Sequence, residues 1–161
     1  MTIEICKVDY HNAQQMAELI ALLDQYAQDP MGGGEALSPD TKQNLAAALQ
    51  QRNFMTSLIA YVDDQPAGLA NCIESFSTFA CKPILNIHDM AVNSEFRGLG
   101  LSQKLLAAVE TLAREKGCSK VTLEVLSGNK VAMNAYEKFG FTGYELDPAM
   151  GKAEFWEKKL K

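Results

Sequence analysis

Apolar and polar residues alternate from Ile3 through Ile5 to Val8, which predicts a first strand over 3–8. The period then lengthens: Met16, Leu19, Ile20, Leu23, Tyr26 and Ala27 recur at helical spacing behind a capping box of Asn12 and Gln15. That helix stops near Asp29-Pro30. The run Gly32-Gly33-Gly34 has no strand leading into it, so it reads as a flexible connector rather than a phosphate loop. Ser38-Pro39 opens a second helix, with Ser as N-cap and Pro in the first position, and Leu45, Ala48 and Leu49 form its apolar face.

Alternation returns over 56–62 and 67–74, a hairpin expected to turn at Asp63-Asp64-Gln65-Pro66. A longer aromatic turn over 75–83 leads to a strand over 84–92. Leu101, Leu105, Val109, Leu112 and Ala113 then mark the core stripe of a third helix that Gly117 closes. A strand over 120–126, a short helix over 131–139, and two last strands at Tyr144 and 153–160 complete the reading. The order βααβββαβαββ is that of an α+β fold, and 161 residues without repeats suit a single domain, 1–161.

Composition narrows the classes. Hydrophobic content of 47% and charged content of 22% are ordinary globular values. A net charge of −5 argues against a general nucleic-acid surface and is compatible with a cationic substrate. Cys6, Cys72, Cys81 and Cys118 form no Cys-x-x-Cys pair, so neither zinc nor a redox dithiol is expected, and reduced thiols in a cytoplasmic protein are the simplest reading. There is no apolar run of membrane-span length and no signal-peptide pattern, so no membrane association is expected.

The candidate chemistry concentrates where the strand over 84–92 feeds a Gly-rich loop into the third helix. A helix N-terminus offers unpaired N–H groups and partial positive charge, so this junction is suited to anions. Gly98 and Gly100 let the backbone turn tightly, and Arg97 adds a permanent cation. The loop Arg97-Gly98-Leu99-Gly100-Leu101-Ser102 lacks the Lys-Ser/Thr ending of a P-loop and the third glycine of a dinucleotide fingerprint. It resembles the pyrophosphate-binding signature of the GNAT superfamily of N-acetyltransferases, with Ser102 where that family usually carries Gly or Ala. Asn129, Ala132, Tyr136, Phe139, Gly140 and Phe141 are similar to the family's second signature, in the family's order.

The resemblance implies the GNAT fold, a mixed central β-sheet flanked by α-helices, with acetyl-CoA as co-substrate and no metal. It implies that residues 97–102 hold the pyrophosphate. Met90, Ala91 and Val92 would bind the pantetheine arm and point an amide at the thioester oxygen, Asn129 would lie near the coenzyme, and Tyr136 would protonate the leaving thiolate. Asn129 is equally a good N-cap for the short helix. The stretch 76–92 is also distantly similar to polyamine and thialysine acetyltransferases, whose acidic residue at the His88 position acts as a water-relayed base. His88 is therefore placed first as base, with Asp89, Glu74 and Glu124 as alternatives. By strict alternation Asp89 shares a face with Ile87, and His88 shares the other with Met90 and Val92. The expected activity is direct transfer of an acetyl group to a primary amine in a ternary complex. Two rivals are a non-catalytic acyl-CoA-binding sensor or partner subunit, and an acyl-cysteine route through Cys72 or Cys118. A small-molecule amine is the expected partner, nucleic acid is not, and a homodimer is left open.

Overall fold

The computed structural model describes residues 1–144 and 146–160. In chain order the elements are β1 (Ile3–Lys7), α1 (Ala13–Gln28), α2 (Pro39–Gln50), β2 (Met55–Val62), β3 (Gln65–Ser77), β4 (Lys82–Val92), α3 (Leu101–Glu115), β5 (Val121–Leu123) and α4 (Lys130–Phe139). The strands form one sheet in the order β1-β2-β3-β4-β5. Every neighbouring pair is antiparallel except β4 and β5, which run parallel across the α3 crossover.

The sheet is buried on both faces, so adjacent residues of its central strands enter different cores. Ile59 and Leu69 pack with Met16, Leu19, Leu22 and Leu49 of α1 and α2. Their neighbours Leu58 and Ala70 pack on the opposite face with Leu85, Ile87, Leu105, Leu106 and Val109. This mixed five-stranded sheet flanked by four helices fits the expected fold class. The α3 stripe is wider than expected, because Leu106 is buried while Leu112 is only partly so.

Local chemistry explains where the elements start. Asn12 accepts from the Gln15 N–H at 3.0 Å, but Gln15 Oε1 reaches back to the Asp9 N–H at 2.7 Å rather than to Asn12. Ser38 Oγ accepts from the Thr41 N–H at 3.1 Å with Pro39 at the first helical position. The β2–β3 hairpin turns on Asp63 and Asp64 alone, at φ 47° and 65°, the signature of a two-residue type I′ turn. The aromatic turn is likewise shorter than expected, because Ser75, Phe76 and Ser77 pair with Ile84, Pro83 and Lys82.

Two expectations fail. The glycine run is hydrogen-bonded rather than an open connector: Gly32 and Gly34 both donate to the Asp29 carbonyl, at 2.8 and 3.0 Å. The two final strands do not form either. Among the described residues, the chain after α4 contains only a 3₁₀ turn at Pro148–Met150 and a lone bridge at Lys152, so the element order ends βαβα rather than βαβαββ. Strand propensity records a fit to a half-buried pleated surface, and among the described residues this segment joins no strand of the sheet. β5 is cut to three residues for a related reason, having, among the described residues, β4 on one side and no strand on the other.

Candidate active site

The pairing of β4 with β5 ends at Ile87 and Leu123. Beyond that point β4 keeps β3 as its only strand neighbour, so one backbone edge of residues 88–92 is left unpaired within the sheet. Met90, Ala91 and Val92 line a cavity of about 780 Å³ at this opening. Arg97, Gly98, Gly100, Leu101 and Ser102 close one end of it, and Asn129 and Tyr136 line its α4 wall. Leu99 does not line it and packs instead with Val62, Ala67 and Leu101.

The start of α3 is built to be left open. Asn12, Ser38 and Asn129 cap the other three α-helices through side-chain oxygens, whereas Gly100 caps α3 with none. The first-turn N–H groups of α3 thus keep their capacity to bind an anion. Gly98 and Gly100 take left-handed φ of 81° and 73°, and a Cβ built on either would meet no protein atom within 4 Å. A phosphate-bearing ligand fits this end of the cavity.

Asn129 does serve as the cap of α4, its Oδ1 accepting from the Ala132 N–H at 3.2 Å, while also lining the cavity. Gln103 Nε2 donates to the Ala135 carbonyl at 2.9 Å and ties the α3 start to α4. Tyr136 is half-buried, and its ring meets Phe141 edge-on at 6.0 Å. Burial raises the pKa of its phenol, and Tyr26 nearby adds to the shift, so the hydroxyl keeps its proton at neutral pH.

The wall facing α4 comes from the end of α1, which the sequence reading left out of the site. Tyr26, Asp29 and Met31 line the cavity there. Tyr26 carries a raised pKa from burial first, then from the charges of Asp89 and Asp29. Gly32 packs so closely that a Cβ would lie 2.0 Å from the Tyr26 carbonyl oxygen, so only glycine fits beneath this turn. Helical spacing marked Tyr26 as core, and nothing local distinguishes a core ring from a cavity wall.

The expected grouping of Ile87 with Asp89 on β4 must be corrected. Asn71 pairs with Asp89 but Cys72 pairs with Ile87, which makes His88 the extra residue of a β-bulge. The bulge breaks the alternation: Ile87, Met90 and Val92 share the α3 face, while Asp89 turns toward Asn71 and Tyr26. Asn71 Nδ2 donates to Asp89 Oδ2 at 3.0 Å. Ser57 Oγ donates to Asn71 Oδ1 at 2.6 Å, and Tyr10 lies 2.8 Å from Ser57 Oγ. Asn71 and Ser57 are buried, so Asp89 is held by a fixed polar chain. His88 is exposed on the bulge. Glu74 is engaged by Lys116 at 3.4 Å and Glu124 by Asn86 Nδ2 at 3.3 Å; neither lines the cavity, and nor do His88 and Asp89. Burial pushes the Cys72 thiol up to about 12 and also raises Cys118, which disfavours the acyl-cysteine route.

Comparison with known proteins converges on one group. Residues 14–141 match the model of the "Acetyltransferase (GNAT) family". Over 66 residues the chain is 39% identical to the thialysine N-epsilon-acetyltransferase of Bos taurus, a match spanning 41% of this chain and 38% of that protein. The Caenorhabditis elegans protein of the same name is 24% identical over 153 residues, covering 95% of this chain and 88% of the relative. The aminoglycoside N-acetyltransferase AAC(6')-Iy, solved with the bisubstrate analog CoA-S-monomethyl-acetylneamine, superposes with a TM-score of 0.78 at 19% identity. That match covers 99% of this chain and all of the other, and at this identity the likeness concerns the fold.

Proposed function

The chain belongs to the acetyltransferase (GNAT) family, and from that premise we propose that it moves an acetyl group from acetyl-CoA to a primary amine of a small molecule. The observation that carries this reading is one cavity shared by an uncapped α3 N-terminus, an unpaired β4 edge and Tyr136. The α3 first turn and Arg97 would hold the pyrophosphate. Backbone N–H groups of residues 90–92 would line the pantetheine arm and stabilise the negative charge that develops on the thioester oxygen. The amine nitrogen attacks the thioester carbon directly, the C–S bond breaks, and Tyr136 gives its proton to the leaving sulfur. The raised pKa of Tyr136 supports that role.

The amine must first lose a proton. We assign that step to His88, which is exposed on the bulge two residues before the cavity-lining Met90, where a water relay would link it to the amine. Asp89, held by Asn71, supplies a fixed negative charge that draws the ammonium toward the opening. The relatives named for thialysine and for aminoglycosides support a small-molecule amine as acceptor. No helix among the described residues is long and apolar enough to cross a membrane. The four free thiols support a reducing, cytoplasmic setting. The test is thiol release from acetyl-CoA across a panel of primary amines. Turnover with at least one class is expected, whereas tight coenzyme binding without turnover of any amine would make the protein a sensor.

A further inference from the structure

A row of polar side chains crosses the centre of the sheet. Ser57 of β2 stands opposite Asn71 of β3, and Asn71 stands opposite Asp89 of β4, so the three occupy one rung. In regular register His88 would face Asn71; the bulge brings Asp89 there instead. Tyr10, three residues past β1, extends the row through its hydroxyl, 2.8 Å from Ser57 Oγ. The next rung on the same face is apolar, with Ile59 and Leu69 fully buried.

The hydrogens in this row all point one way. Ser57 has a single hydroxyl hydrogen and gives it to Asn71 Oδ1 at 2.6 Å, so the hydrogen between Ser57 and Tyr10 comes from the phenol. Asn71 then turns Nδ2 to Asp89 Oδ2 at 3.0 Å. A flipped amide would set its oxygen against the carboxylate, acceptor against acceptor. Each residue therefore fixes the next, and the fixed end is Asp89. Stability does not call for such a row, since a buried polar pair replaced on both sides by apolar groups of the same shape can be nearly neutral. Tyr10, Ser57 and Asn71 also lie outside the cavity wall. Asp89 is half-buried, and its charge reaches Tyr26, which does line the cavity.

Resting on the acetyl-transfer reading, we propose that Tyr10, Ser57 and Asn71 are positioning residues that select a cationic acceptor from outside the cavity, by holding the Asp89 carboxylate beside Tyr26. Asn71 occupies one carboxylate oxygen with a charge-assisted hydrogen bond and leaves the other for the substrate ammonium. Without that bond the carboxylate regains its side-chain rotamers and loses its aim. The effect falls on KM, because the charge is felt in the bound substrate as much as in the transition state.

The test compares two acceptors at saturating acetyl-CoA: the most active alkylamine of the panel, an ammonium at neutral pH, and the matching alkoxyamine, a primary amine that is uncharged there. The alkoxyamine is read by its KM, or by its Ki as a competitor if it is not turned over. Asn71→Leu should raise KM for the alkylamine at least about 10-fold with kcat unchanged, and Tyr10→Phe should raise it about 2- to 5-fold. For the alkoxyamine both variants should stay within about 2-fold of the wild type, which a generally disturbed fold would not give. Asn71→Leu added to Asp89→Asn should raise KM no further than Asp89→Asn alone, because the one acts through the other. Should Asn71→Leu fold poorly, Tyr10→Phe keeps its ring and decides by the same comparison. Equal KM shifts for both acceptors, no shift for either, or additive effects of Asn71→Leu and Asp89→Asn would overturn the proposal. A wild type that acetylates no amine at all would instead remove the acetyl-transfer reading, and this proposal with it.

Discussion

Gly100→Ala separates backbone strain from ligand contact, because the structure contains its own control. Gly100 and Gly117 stand at opposite ends of α3 with φ of 73° and 71°, and a Cβ on either meets no protein atom within 4 Å. Alanine in the left-handed region costs about 1–2 kcal/mol. In a domain of this size that lowers Tm by about 2–8 °C, and the two variants should fall by similar amounts. Only Gly100 lines the cavity, so only its added methyl can push a phosphate away from the α3 N–H groups. Losing one hydrogen bond to a charged group costs about 1.5–3 kcal/mol, or roughly 10- to 150-fold in Kd. Calorimetric titration with acetyl-CoA, read beside the melting curves, should therefore show weakened binding for Gly100→Ala and near wild-type binding for Gly117→Ala. Equal affinities for Gly100→Ala and the wild type, or an equal loss for Gly117→Ala, would refute the assignment of the pyrophosphate to this turn.

Tyr136→Phe keeps the ring against Phe141 and removes the acid; kcat should fall about 10²-fold with coenzyme affinity unchanged in calorimetry. His88→Gln should lower kcat about 10²-fold with coenzyme affinity in calorimetry unchanged. Asp89→Asn should raise KM for a cationic amine and leave kcat standing; loss of kcat in Asp89→Asn with His88→Gln unaffected would transfer the base to Asp89. Asp24 has a lowered pKa, mainly because it accepts from the Leu37 N–H and then from Lys42. A depressed carboxylate contributes stability above its unfolded pKa and loses it as pH falls through the folded value. Asp24→Asn should accordingly lower Tm at neutral pH and make it less sensitive to acid, as differential scanning fluorimetry across pH would show.

The parts of the fold legible in the sequence are those decided locally. Asn12, Ser38 and Asn129 announce their helices because a cap needs only a side-chain oxygen and an N–H three residues on. The Arg97–Ser102 loop is legible because its glycines and charge lie within one turn. His88 is different: a bulge arises from the register of β4 against β3, and no pattern within β4 reveals that Cys72 pairs with Ile87. Strict alternation therefore put Ile87 on Asp89's face, whereas Ile87 lies with Met90 and Val92. Tyr26 was hidden because its role depends on Gly32 and on the opening of β4, both remote from its own helical period. The final strands were overread for the converse reason, since residues 153–160 have strand composition but, among the described residues, pair with no strand.

The sheet order has a consequence for the birth of the molecule. Strands β1 to β4 are neighbours in space in the order in which they are synthesised, so each can pair with a strand already made as the chain leaves the ribosome. The cavity obeys a different schedule. Its walls come from Tyr26, Val92, Gly100 and Tyr136, so no nascent chain shorter than the end of α4 can contain it. A coenzyme that spans these walls would bind a chain that has passed the end of α4 and no shorter one, adding about 2.7 kcal/mol of stability when its concentration reaches 100 times Kd. Abundant acetyl donor would then favour retention of chains that include α4 over those that stop before it.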